Sequence, residues 1–499
     1  MPRSETRYWN TTVIALAVYF LLCVGLRIIA SPALEADDAE QALLSQYLAL
    51  GYGPQPPFYN WLLYGTVHVF GLSVATLTIL KQLFLFLCCL FYGLAARLII
   101  KNEAISALAM IGILTLPPVF VLSQRDLSHT VAALFAVSLF LYFFFRTLQR
   151  PSLLSYVLTG VAVGIGAISK YNFVLVPCAA ILAVLPEREL RARIFDWRIV
   201  VSVLVAAVIF IPHGSWVVGN LNAASDTIIQ EMKEGSSGHR LTHILKGTFS
   251  LLSAIVVGSA LPVLFFALIS PARLPDIWRA QNQWTRVVGR MLLFCLIGVF
   301  LVVLGIDATH IRQKWLAVFL ILWPLYLGLK LEAADVKLEG RFGRAAIPVF
   351  FIVTAVVIGL SMRAYVSPML GNYGKTNMPF RGLFSELTEN GAHLPTLIVT
   401  GDSFTAGNAR LVLPGVKVLS PSLRQEQMSA ALLSLGPTLI VWNDDGKLDP
   451  PMPVALKEVL VGAGVTEDAI HPSHTALPYF AGKNEDRYGF GYLWLSPHE

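Results

Sequence analysis

The chain is 499 residues long, 56% hydrophobic and only 14% charged, with a formal net charge of +6. Soluble domains carry roughly 45–50% apolar and about 25% charged residues, so this composition excludes a soluble globular enzyme and points to a polytopic membrane protein. The basic excess collects in short loops between apolar runs, which makes it a topology signal rather than a nucleic-acid-binding surface.

The first apolar run, 11–30, is long enough to cross a bilayer. It lacks a small-residue cleavage site and reads as a retained helix. Further runs at 75–99, 104–122, 129–146, 155–169, 171–186, 199–217, 247–270, 291–306, 314–330 and 345–366 bring the expected spans to about eleven. One set of connecting loops holds Arg3 and Arg7, Arg97 and Lys101, Arg146 and Arg150, Arg188 to Arg198, Arg273 to Arg290, and Lys330 to Arg344. These loops are expected on the cytoplasmic side. The N-terminus is then inside and the chain end outside. Cys23, Cys88, Cys89, Cys178 and Cys295 all fall in apolar runs without metal-ligand spacing and read as small core hydrophobes.

The first outer loop, 31–74, carries Glu35, Asp37, Asp38 and Glu40, and no Lys or Arg occurs from Ile28 through Leu80. Within it, Ala39–Leu50 places Leu43, Leu44, Tyr47 and Leu48 on one helical face and Glu40, Gln41, Ser45 and Gln46 on the other. That is the pattern of an interfacial helix. A Pro-rich aromatic elbow, Gly51–Trp61, follows, and then a helix too short to span at 61–72. From about 367 the composition changes. Pro395–Gly401 and Pro437–Trp442 read as buried strands, and 381–390, 424–435 and 453–463 as helices. The expected organisation is a membrane domain at 1–366 and a small periplasmic α/β domain at 367–499.

Ionisable groups in or beside spans cost on the order of 2.5–3.5 kcal/mol each, so they invite a chemical explanation. On this topology Asp37, Asp38, Arg125, Asp126, Lys170, His213, His310, Arg312 and Lys314 all reach the outer face. Carboxylates and cations together suit a sugar donor that leaves as a phosphate: the cations hold the phosphate and a carboxylate takes the acceptor's proton. The plain alternatives are helix capping by Asp37, Asp38 or Asp126, snorkelling by Lys170, and interface anchoring by Arg312 and Lys314.

The motifs Asp37-Asp38-Ala-Glu40, Gln55-Pro56-Pro57-Phe-Tyr59-Asn-Trp61, Asp126, Ser169-Lys170-Tyr171, Pro212-His213 with Trp216 and Asn220, and Arg312-Gln-Lys314-Trp315 occur in this order. In order and topology they resemble the GT-C superfamily of polytopic glycosyltransferases. The resemblance is closest to the bacterial branch that includes protein O-mannosyltransferase-like enzymes, lipid A aminoarabinose transferases and rhizobial lipopolysaccharide galacturonosyltransferases. It implies an inverting transfer from a polyprenyl-phosphate-linked sugar at the outer face of a bacterial inner membrane. It implies Asp37 or Asp38 as base, Asp126 as a second carboxylate, and Lys170 near the donor. Gln55 stands where aminoarabinose transferases have a Lys; it can donate a hydrogen bond to the donor but carries no charge, so phosphate neutralisation falls to Lys170, Arg312 or Lys314, with Arg125 a further donor-binding candidate. Tyr59, His213 and Asn220 are expected in the acceptor or loop region. The acceptor is expected to be lipid A or lipopolysaccharide core, with protein as the alternative. No cofactor is indicated; a divalent metal stays open.

Two other classes have some support. Gly401-Asp402-Ser403, Asn443-Asp444 and Asp468-Ala-Ile-His471 follow the block order of GDS-type esterases, with Ser403, His471 and Asp468 as the triad. A lipid transporter is the other, although no repeat and no clear mid-bilayer charge is visible.

Overall fold

The computed structural model describes residues 7–233, 239–338, 340–390, 394–420, 436–444 and 447–495. Among them, eight helices are long and apolar enough to cross a membrane, from Arg7–Ala30 to Phe342–Met369. The other three expected spans take different forms. Leu153–Ala167 and Tyr171–Val184 are short apolar helices, and the run expected at 104–122 is a pair, Glu103–Thr115 and Pro118–Arg125, bent by 62°. The bend falls at Pro117-Pro118, where ring closure removes two amide donors and breaks the helical ladder. The expected span at 314–330 is also interrupted: Gln313–Leu320 and Leu322–Ala333 meet at Ile321. There the buried Tyr92 hydroxyl donates to the Ile321 carbonyl and accepts from the Leu325 N–H, both at 2.7 Å. One side chain thus satisfies backbone groups that have no water to turn to in a bilayer.

Contacts divide the chain into two compact units. The first is Met1–Leu22, Leu50–Tyr59 and Lys81–Val357; the second is Cys23–Ala49, Asn60–Leu80 and Ile358–Glu499. In the first, Leu153–Ala167 packs between Ser128–Gln149 and Ile199–Gly219, and Gln283–Ile306 packs on Leu175–Val184.

The second unit contains a five-stranded sheet of β1 (Leu397–Thr400), β2 (Lys417–Leu419), β3 (Thr438–Trp442), β4 (Ser473–Pro478) and β5 (Arg487–Leu495), in the order β2-β1-β3-β5-β4. β2, β1 and β3 are parallel, with Val399 opposite Ile440; β5 and β4 run antiparallel to β3 and to each other respectively. The two buried strands expected from the sequence are β1 and β3, which pair in parallel. The helices expected at 381–390 and 453–463 are Phe380–Asn390 and Val454–Gly462. The helix expected at 424–435 lies outside the described residues. One sheet face packs Ile398, Leu439 and Phe490 with Phe380, Phe384 and Ala406, and the same core takes in Ala33 and Leu43 from the loop after the first helix.

Candidate active site

Helix α1 (Arg7–Ala30) ends within the second unit, with Arg27 in its last turn. The Arg27 guanidinium donates to the Ser31 and Ala33 carbonyls, each at 2.8 Å, and so satisfies backbone acceptors where the helix ends. Ser31 in turn donates to the Thr376 carbonyl at 2.6 Å, and the Leu34 N–H donates to Asn408 Oδ1 at 2.9 Å. The chain then enters α2 (Ala36–Leu44). Expected to begin at Ala39, this helix begins three residues earlier. Glu35 is its N-cap residue, without a side-chain capping bond, and Asp37 and Asp38 sit in the first turn. Neither aspartate is the cap, but both lie where the positive end of the helix dipole favours an anion.

The expected interfacial face of α2 is corrected. Gln41 and Ser45, read as solvent-facing, are 2% and 5% exposed. α2 packs along the Ser403–Val412 helix, and the fit leaves no room for a side chain at Gly407: a Cβ there would sit 1.9 Å from the Ala39 carbonyl oxygen. Gln41 accepts from Asn60 Nδ2 at 2.8 Å, which ties α2 to α3 (Phe58–Phe70), the short helix expected from the sequence. Beyond α2, the Gln46 amide accepts from the Val418 N–H and donates to the Val418 carbonyl, both at 2.9 Å. It extends the free edge of β2 as a strand would. Glu35 pairs with Arg363. Asp38 is buried beside the charge of Arg27, whereas Asp37 is half-exposed.

In the first unit, Lys170 donates to Thr130 Oγ1 at 2.7 Å, and His129 lies within electrostatic reach of the same ammonium. Tyr59 is buried and its ring lies 6.0 Å from His129. Lys170, Tyr59, His129 and Thr130 therefore form one cluster. Asp126 was a candidate N-cap for the Ser128–Gln149 helix. That position belongs instead to Leu127, in left-handed conformation at φ 73. A Leu there is strained by about 1 kcal/mol or more, and such strain concentrates at functional turns. Arg125 and Asp126 occupy this turn, half-buried.

His213 has a positioning job. Its Nδ1 bonds the Leu50 carbonyl at 2.8 Å and its Nε2 the Tyr171 hydroxyl at 3.1 Å. A carbonyl only accepts, so Nδ1 carries the proton, and in the neutral ring Nε2 accepts from Tyr171. The imidazole stacks between Tyr171 and Trp216, and the Trp216 indole lies so close over Gly51 that a Cβ would meet it at 2.2 Å. The elbow is thus fixed at its start by His213 and Trp216. At its end, the Phe58 N–H donates to the Ile168 carbonyl at 3.0 Å. Gln55 sits half-buried between these anchors.

The remaining candidates are spread more widely. Arg312 pairs with Glu231 at 3.3 Å, both about a third exposed (35%), which offsets part of its charge. Lys314 lies in the first turn of Gln313–Leu320. Asn220 donates to the Trp216 carbonyl at 2.9 Å and closes its own helix end. Among the described residues, no three or more His, Cys, Asp or Glu gather in a way that could hold a metal ion.

The esterase triad does not assemble. Asp402 caps the Ser403–Val412 helix, accepting from the Thr405 N–H and hydroxyl at 2.8 Å each. Asp468 and His471 are exposed, and no hydrogen bond joins either to Ser403 among the described residues.

Thr130, Gly407, Asn408, Gln46 and Arg363 were not candidates from the sequence. Arg27 carried a readable signal, a cation in a helix's last turn; the others carried none without their partners.

The family model described as dolichyl-phosphate-mannose-protein mannosyltransferase matches residues 54–216. Lipopolysaccharide core galacturonosyltransferase RgtA of Rhizobium johnstonii is 42% identical over 100% of this chain and 99% of its own, and RgtB of the same organism is 39% identical over 99% of each. Among solved structures, ArnT from Cupriavidus metallidurans bound to undecaprenyl phosphate is 14% identical, with a TM-score of 0.58 over 97% of this chain and 98% of that one, a likeness of fold. The chain is a polytopic GT-C glycosyltransferase and belongs to the family of the rhizobial lipopolysaccharide core galacturonosyltransferases.

Proposed function

We propose that this enzyme transfers a galacturonosyl residue from a polyprenyl-phosphate donor to a hydroxyl of the lipopolysaccharide core, at the periplasmic face of the bacterial inner membrane. The end-to-end identity with RgtA carries this reading of sugar and acceptor. The acid-bearing first turn of α2 supports the chemistry. In the proposed step, a carboxylate takes the acceptor proton as the hydroxyl oxygen attacks the anomeric carbon. The bond from that carbon to the phosphate oxygen breaks, and polyprenyl phosphate leaves with the electron pair, inverting the centre. Asp37 is the proposed base, because it is half-exposed while Asp38 is buried beside Arg27. Lys170, with Arg125, Arg312 and Lys314, would offset the charge on the departing phosphate.

The test is mass spectrometry of core oligosaccharide from cells with and without the gene, followed by transfer assays on Asp37→Asn and Asp38→Asn. Loss of a hexuronic acid mass from the core is the expected phenotype. Asp37→Asn should lose roughly 10²- to 10⁴-fold in rate, the usual share of a general base. An unchanged core in the knockout, or full activity in Asp37→Asn, would overturn the corresponding part of the reading.

A further inference from the structure

The second unit contains a cleft that the chemistry above does not use. Its volume is about 490 Å³, and it lies between the segment just after α2, with Gln46 and Tyr47, and the turn from the Ser403–Val412 helix into β2, with Arg410, Gly415 and Lys417. One wall is therefore the direct continuation of the helix that bears Asp37 and Asp38. From Asp37 to the end of α2 at Leu44 is about 10 Å at 1.5 Å per residue. That is the length of one or two sugar units.

The lining is cationic. Arg410 is half-buried, and its Nε is buried without a hydrogen-bond partner among the described residues. Burial holds its guanidinium down to about 10, and the Tyr47 phenol acts against this; among the described residues no carboxylate contributes. Lys417 adds a second cation to the same cleft. A desolvated guanidinium whose Nε–H finds no partner among the described residues is costly on its own. Its planar donor fork fits a carboxylate or a phosphate. The Gln46 amide fixes the opposite wall through its two bonds to Val418, so the cleft is built rather than formed by loose surface chains.

We propose that the Arg410–Lys417 cleft seats an anionic substituent, a carboxylate or a phosphate, of the glycan acceptor, one or two sugars from the hydroxyl that is glycosylated. This rests on the proposed reading that the acceptor is a lipopolysaccharide core. The cleft would act as a ruler: it selects which hydroxyl of a multiply hydroxylated core meets the base.

The experiment uses the full-length protein in nanodiscs and, as probe, deacylated core oligosaccharide. Three forms are compared: untreated, dephosphorylated with hydrogen fluoride, and carboxyl-reduced. Binding is read by calorimetry and transfer by steady-state kinetics. Arg410→Gln and Lys417→Gln should each weaken binding of the untreated probe about tenfold and raise KM by a similar factor with kcat retained. One of the two treated probes should bind the wild type as weakly as the variants bind the untreated one, which identifies the anion. Lys417→Gln alone carries the test should Arg410→Gln fold poorly. Wild-type Kd and KM in the folded variants, or equal binding of all three probes, overturns the cleft assignment while leaving transfer intact. Absence of transfer to any core probe by the wild type would instead overturn the proposed function.

Discussion

Gly407→Ala should disable the enzyme without touching a charged group. The added Cβ would meet three backbone atoms of Ala39, the carbonyl oxygen at 1.9 Å, the carbonyl carbon at 2.4 Å and Cα at 2.5 Å. Backbone cannot rotate away as a side chain can. Reaching an ordinary contact of 3.4 Å requires α2 and the Ser403–Val412 helix to part by about 1.5 Å. Ala39 directly follows Asp37 and Asp38, so the shift is passed to both carboxylates. Misplacing a catalytic group by about 1 Å typically costs on the order of 10²-fold in rate, and the overpacking itself costs about 1–3 kcal/mol. The expected result is a kcat near one hundredth of wild type in a protein that still inserts and folds, with a lowered thermal midpoint. Gly462→Ala is the control: nothing lies within 4 Å of a Cβ there, and activity should be unchanged. Wild-type kcat in Gly407→Ala would show that α2 need not hold its place for transfer.

Two further outcomes test the first unit. His213→Leu removes both ring bonds and leaves the Leu50 carbonyl unpaired, at a cost of about 1–3 kcal/mol. The elbow should loosen, seen as faster proteolysis near Gly51 and reduced transfer, and His213→Asn should recover part of both. Glu187 receives bonds from Arg286 at 3.0 and 3.1 Å and from Arg290 at 3.2 Å. The Arg286 bond, then the charges of both arginines, hold its carboxyl below the ordinary value of 4.5 against the opposing effect of burial. A depressed acid stabilises the fold fully above that ordinary value and loses the contribution as pH falls through the lower folded value. Glu187→Gln should therefore lower the thermal midpoint at neutral pH and flatten its fall in acid; an unchanged acid profile would refute the coupling.

Most spans were legible because an apolar run of about 20 residues needs no partner to declare itself. The broken one, 103–125, held its signal in Pro117-Pro118, which marks a kink but not which way the chain leaves it. Strand β5 was missed, although Tyr488, Phe490, Tyr492 and Trp494 alternate with smaller residues, the period of a half-buried strand. The aromatic signal is diluted by Gly489 and Gly491, which thin the apolar run. The acidic motif was visible, but the start of α2 was not. Its first turn is set by supports far along the chain, such as Asn408 at 374 residues from Leu34. Gly407 looks like any helical glycine until Ala39 is placed against it. Long-range contacts of this kind leave no local pattern, so the sequence discloses the candidate groups sooner than what holds them.

The Gln46 side-chain amide, bonded to both backbone groups of Val418, ties the acidic loop to the free edge of the C-terminal sheet. The two segments therefore behave as one replaceable cassette. A chimera that exchanges only the C-terminal segment between paralogues would bring a foreign edge against a native loop and lose these bonds. Grafting residues 23–49 and 60–80 together with 358–499 keeps them. Attempts to retarget such enzymes by recombination have their natural crossover points there, and inherited variation in the loop is expected to travel with variation some 370 residues downstream.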